Sequence, residues 1–183
     1  MSYTEISGLW IEGFQFGWAD SGAIWVFDCE RLHIINNVMI NNSGAAIAVG
    51  FDYDSSVIIE GNTFVDNKEF TIIGGVQQGR IENNIIMGRL WATISYAPIE
   101  CNYILDISDV DPYWENYNFT INPQFCGAPG SGNYFLQSDS PCAPGNTPPP
   151  LLEDCGLVGA LPVGCGMTPV RSATWGELRS LYR

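Results

Sequence analysis

Residues 32–42 (LHIINNVMINN) and 57–67 (VIIEGNTFVDN) are two versions of one motif, and shorter copies stand at 80–86 (RIENNII), 99–104 (IECNYI) and, degenerately, 11–16 (IEGFQF). Self-similarity of this kind decides an architecture before any local propensity does. The first apolar position of the copies falls at Ile11, Ile34, Ile59, Ile81 and Ile99, in steps of 23, 25, 22 and 18 residues. A second apolar segment lies between the copies, centred on Ile24, Ile47, Ile72 and Ile94, and steps by 23, 25 and 22. Two registers that lengthen and shorten together are the mark of a repeating coil.

Each unit holds short β-branched runs broken by Gly, Asn, Asp and Ser, which leaves no room for helices of about 10–12 residues. A circuit of this length buries its apolar side only by stacking on its neighbour, at the ~4.8 Å spacing of parallel strands. The expected architecture is an all-β, right-handed parallel β-helix of about five coils over residues 1–105. Ile11, Ile24, Ile34, Ile47, Ile59, Ile72, Ile81 and Ile94 should face inward. Asn37, Asn62, Asn84 and Asn102 take equivalent places at a tight turn, where stacked amides can form a ladder.

The I-x-[NG]-N-x-[IF] motif over residues 9–105 resembles the parallel β-helix repeat proteins, the superfamily of pectate lyases, polygalacturonases and many bacterial surface proteins. That superfamily hosts both enzymes and non-enzymes, so the resemblance implies a fold rather than an activity. Residues 122–126 (NPQFC), 134–136 (YFL), 140–142 (SPC) and 155–165 (CGLVGALPVGC) resemble the closing segment of exported bacterial members, and 174–183 their short C-terminal tail. Export, to the cell surface or beyond it, is what this implies. The chain thus divides into coils (1–105), an irregular cap (106–167) and an amphipathic tail (168–183) in which Trp175, Leu178, Leu181 and Tyr182 share one side of a short helix.

Composition narrows the partners. Twenty acidic against seven basic side chains give a formal charge of −13, with Lys68 the sole lysine. A phosphate backbone would be repelled, which argues against nucleic acid. No apolar run approaches the roughly 18 residues of a membrane-spanning helix. Cys126, Cys142, Cys155 and Cys165 lie in a Pro- and Gly-rich stretch without the spacing or histidines of a zinc site, which favours disulfides and an oxidising compartment. Four cysteines allow three pairings. Residues 1–6 carry no signal-peptide pattern, so export requires that a leader has been removed or that the chain is a fragment. The chain enters a coil by Leu9 without a cap; either it is the C-terminal piece of a longer β-helix, or the open N-terminal coil self-associates with another subunit.

Chemistry can sit in two acidic constellations. Glu12, Glu60, Glu82 and Glu100 each follow an inward Ile and should form one outward column, with Ile35 interrupting it: a solvated edge, or a strip that holds Ca²⁺ at Glu60, Glu82 and Glu100. Asp28, Asp52 and Asp54 fall in loops after the second strand of neighbouring coils. Such carboxylates can act as acid and base or nucleophile in glycoside hydrolysis, can hold Ca²⁺ by oxygen ligation, or can simply close turns. Trp25 and Trp91, with Tyr113 and Trp114, should present flat rings suited to sugar faces unless loops cover them. Arg80 and Arg89 are candidate substrate clamps or lyase-type bases, although the acidic surface speaks against a polyuronate. His33 is expected on the surface, and the Asp-Asp and Gly-His-Gly motifs of polygalacturonases are absent. The functional expectation is a secreted, carbohydrate-active β-helix that binds or cleaves a polysaccharide as a hydrolase or lyase; the alternative is a non-catalytic surface or assembly module.

Overall fold

The computed structural model describes residues 4–15, 22–27, 29–50, 56–76, 78–94, 98–106, 117–128, 130–149, 151 and 154–167. Asp28, Asp52, Asp54, Tyr113, Trp114 and the 168–183 tail lie outside them. The described residues contain twelve strands and no helix. The first coil is β1 (Thr4–Ser7), β2 (Trp10–Glu12) and β3 (Gly22–Val26); the second is β4 (Arg31–Ile35), β5 (Val38–Ile40) and β6 (Ala45–Val49). Next come β7 (Ser56–Glu60) with the long β8 (Thr63–Val76), β9 (Gln78–Glu82) with β10 (Ile85–Ile94), and β11 (Ile99–Glu100) with β12 (Tyr103–Asp106). One sheet runs β1-β4-β7-β9-β11 and a second runs β12-β10-β8-β5-β2, with β3 and β6 stacked on the far half of β8. Every strand pair is parallel. The chain is a parallel β-helix.

Alternation along each strand sends one set of side chains inward, and the registers stack them. Ile34, Ile59, Ile81 and Ile99 form one column on four coils. Ile24, Ile47, Ile72 and Leu90 form another, and Met39, Phe64, Ile86 and Ile104 a third. All are buried in one continuous core.

Two expected registers shift. Ile6, not Ile11, stacks under Ile34, and Ile11 pairs with Met39 on the next face. The first step is therefore 28 residues, and Glu12 leaves the glutamate column. Ile94 stands over Val76, while Leu90 takes the place over Ile72. The cause is a lost corner: between Met87, which pairs with Val65, and Arg89, which pairs with Phe70, the fourth coil bypasses residues 66–69 of the third. Gly88 makes this short cut possible, since a Cβ there would come within 2.4 Å of Thr71 Oγ1.

The asparagine ladder forms and is longer than expected. The side-chain amide of Asn37 donates to Asn62 Oδ1, Asn62 to Asn84, Asn84 to Asn102, and Asn102 to Asn118, all at 2.9–3.0 Å. Each of these acceptor oxygens also takes the backbone N–H of the asparagine before it in the stack. The corner residue preceding each of the first four rungs has positive φ: Asn36 54°, Gly61 62°, Asn83 57° and Cys101 57°. That requirement explains the Gly or Asn of the motif. A second, shorter ladder joins Asn42 to Asn67 at the next corner and ends where the fourth coil skips it.

The cap does more than close the end. Residues 134–136 and 157–161 fold back along the outer side of β2, β5 and the first halves of β8 and β10. There Tyr134 packs on Val38, Ile40 and Val65, and Leu136 and Val158 pack on Ile85, Tyr103 and Phe119. The Gly159 N–H donates to the Asn83 carbonyl at 2.7 Å and the Ala160 N–H to Thr63 Oγ1 at 2.9 Å.

The disulfides are Cys101–Cys155, which ties a coil corner to the cap, and Cys126–Cys165 within the cap. This corrects the expected set of four, because Cys142 is a buried thiol and Cys101 of the repeat takes its place. The exchange follows from geometry: Cys101 occupies an outward corner beneath the cap, whereas Cys142 lies inside the apolar contact between cap and coils. Disulfides suggest an extracellular or otherwise non-cytoplasmic protein. No helix among the described residues is long and apolar enough to cross a membrane.

Candidate functional site

The expected site residues separate onto two faces of the coil. On the outer side of the β3/β6 face, Trp25 pairs with Ala48, Ala48 with Ile73, and Ile73 with Trp91. The two tryptophans therefore share one row three rungs apart, roughly 14 Å. Trp25 is 67% exposed, Trp91 46% and Phe27, beside this row, 78%. Phe27 can lie against the chain because residue 50 is glycine, where a Cβ would come within 3.0 Å of its ring. Among the described residues neither tryptophan belongs to the clusters that the cap forms with the coils. Arg89, on the same strand as Trp91, pairs with Asp106 of β12 at 3.7 Å.

The first sheet carries the other set. Ile35, Glu60, Glu82 and Glu100 stack as one outward column, as the repeat predicts. Like charges at strand spacing repel, and here a guanidinium answers them: Arg80 bonds Glu60 and lies 2.9 Å from Glu82. Burial raises the Glu82 carboxyl above its ordinary range; Arg80 pulls it back, and Glu60 and Glu100 push it further up. Arg80 itself is held protonated, chiefly by its bond to Glu60. His33, Glu60 and Arg80 line a cleft of about 240 Å³ closed on one side by Leu157 and Gly159 of the cap. Among the described residues no three His, Cys, Asp or Glu side chains gather into a group that could hold a metal ion.

A further cleft, of about 390 Å³, was not signalled by the repeat. Trp10, Glu12, Ile40, Asn41 and Asp66 from three successive coils line it together with the cap residues Gly130–Gly132 and Tyr134. Four of its nine lining residues come from a cap with no periodicity, and Glu12 stands beside Ile40 rather than in the glutamate column that its motif position predicts.

The stacked coils, the ladder at one corner and parallel pairing throughout define a β-helix. The family model for the right handed beta helix region matches residues 2–109, more than half of the chain, and the chain belongs to that family. No curated protein matches the chain, and no solved structure does.

Proposed function

We propose that the chain is an exported, carbohydrate-active β-helix protein that binds or cleaves a polysaccharide, with the Trp25–Trp91 row as its contact surface. The observation that carries this reading is the row itself: Trp25, Trp91 and Phe27 present exposed aromatic rings along one side of the coils, whereas Val38, Ile40 and Val65 on the neighbouring side are covered by the cap. Exposed aromatic rings at fixed spacing suit the apolar faces of successive sugar rings. Arg80 and Arg89 are both paired with acids, and with a formal charge of −13 the protein favours an uncharged polymer over a polyuronate. Asp28 follows β3 by two residues and Asp52 and Asp54 follow β6, so in sequence all three border this face. They are the proposed acids if the polymer is cut.

A polysaccharide panel assayed for binding, reducing-end release and unsaturated product tests the proposal. One neutral polymer should bind, and Trp25→Ala or Trp91→Ala should weaken it about tenfold, at roughly 1.4 kcal/mol per decade. Asp52→Asn should stop any cleavage while leaving binding. A panel with no binder would sink the reading. The competing reading is an assembly module, favoured by the place of β1 and β2 at the ends of their described sheets, where a further parallel strand could add. Concentration-dependent oligomers without polymer binding would support it.

A further inference from the structure

The cleft between the cap edge and the second coil corner brings two aromatic residues together with two acids and an amide. Its floor is the buried Ile40, and its inner wall is made by Trp10 and Tyr134, whose ring centres are 6.0 Å apart with planes tilted by 38°. Tyr134 is fixed from behind by Phe125 in an edge-on contact at 5.3 Å. The rim is polar. Glu12 is oriented by the Trp10 indole N–H, which donates to Oε2 at 3.0 Å. Asn41 and Asp66 occupy the same corner of consecutive coils, with φ of 51° and 52°, so their side chains start one rung apart, about 4.8 Å. Burial, together with the charges of Asp66 and Glu12, pushes the Tyr134 phenol above its ordinary range and keeps it protonated as a donor.

Two carboxylates and a carboxamide can accept from several hydroxyls at once while the amide N–H₂ donates to another. Two formal negative charges repel acid groups. At about 390 Å³ the cleft is near the small end of ligand pockets, which span roughly 300–1,000 Å³, and so suits one ring rather than a chain. We propose that this cleft binds a single neutral pyranose unit, with Trp10, backed by the buried Tyr134, as its ring contact and Glu12, Asn41 and Asp66 holding its hydroxyls. The ligand class rests on the carbohydrate reading above, but the site is separate from the Trp25–Trp91 row and faces another side of the coil.

Calorimetric titration of the whole chain with glucose, galactose, mannose, N-acetylglucosamine and galacturonate tests it. At least one neutral sugar should bind at one site and galacturonate should not. Glu12→Gln and Asp66→Asn should each weaken that binding about tenfold without moving the melting temperature, since Asn tolerates the positive φ at residue 66. Trp25→Ala should leave it unchanged. Failure of every neutral sugar, equal binding of galacturonate, or indifference to both substitutions would overturn the cleft assignment. If the polymer still binds through Trp25 and Trp91 in that case, only the cleft assignment falls; if no polymer binds either, both proposals fall.

Discussion

The coils present two apolar outer faces, and the protein treats them oppositely. Over β5 and the start of β8, Val38, Ile40 and Val65 are aliphatic, and the cap buries them. Over β3 and the far half of β10, Trp25 and Trp91 are aromatic, and they stand in water. Both faces arise from the same alternation along the same coils, so outward apolar character alone does not tell stability from recognition. Between these two rows the side-chain type differs as well as the cover. Aliphatic groups left exposed gain nothing from a partner beyond area, whereas an indole offers a flat face and a polar edge that can be used again and again.

The widest separation between the two faces should come from placing the same charge on each. Val65→Asp puts an unpaired carboxylate under Tyr134 and should cost ~5 kcal/mol or more, the scale of a whole domain's stability. Trp25→Asp, in water, should cost no more than about 1 kcal/mol, the span of strand propensity. Urea denaturation of the two variants checks this, and equal losses would mean that the cap does not seal the first face.

Removing the tie between cap and coil is the next largest change. Cys101→Ser with Cys155→Ser frees a loop of 54 residues, for which chain entropy predicts a loss of about 4 kcal/mol. The covered face should then bind a hydrophobic dye, while polymer binding through Trp25 stays intact. Cys142 sharpens the same point without destabilising anything. Its burial pushes the thiol up to about 12, only partly offset by a bond with Ser140. At pH 8 a thiol alkylator should therefore leave Cys142 unmodified in the folded protein and reach it only on unfolding. Rapid native labelling of Cys142 would show that the cap opens.

What the sequence made legible follows from periodicity. Ile34, Ile59, Ile81 and Ile99 and the rungs Asn37, Asn62, Asn84 and Asn102 stack as the spacing requires, because each position is forced by the coil below it. Ile11 misled because IEGFQF imitates IEGNTF, although its fourth residue is Phe14 rather than the asparagine a rung needs. Leu9 in fact holds the first coil's place, and its N–H donates to Asn37 Oδ1. Ile94 misled because the bypass at Gly88 leaves no trace in apolar pattern. The lateral course of the cap is foreshadowed by Val38, Met39 and Ile40 and by Ile85, Ile86 and Met87, runs of three consecutive apolar residues where one-sided burial would need alternation. The disulfide partner of Cys155 was hidden inside a repeat copy, and the cleft at Glu12 and Asp66 depends on contacts between segments about 70 residues or more apart, as Trp10 and Tyr134 are, which no local signal encodes.

The smallest expected effect concerns acid, and it again divides cap from coil. Asp154 accepts the backbone N–H groups of Gly145 and Gly156 at 3.1 Å and the Thr147 hydroxyl at 2.9 Å. These bonds, led by Gly156 and Gly145, hold its carboxyl below the ordinary value of 3.8. A carboxyl lowered on folding stabilises the fold fully above the unfolded value, and that contribution disappears as pH falls through the lowered one. Glu82 on the coil has the opposite sign: its raised carboxyl means that the folded state binds the extra proton, so from 4.5 upward its contribution declines as pH rises through the raised value. Acid should thus loosen the cap loops before the coils. Hydrogen exchange at Gly145 and Gly156 should accelerate as the solution passes below pH 3.8, with the asparagine-ladder amides of Asn62 and Asn84 still protected. Asp154→Asn should show faster exchange at those two glycines already at neutral pH and little further change on acidification. Ladder amides that open at the same pH as the cap glycines would show that the two regions unfold as one unit, and the contrast between a covered and a bare face would then describe packing only, not separable stability.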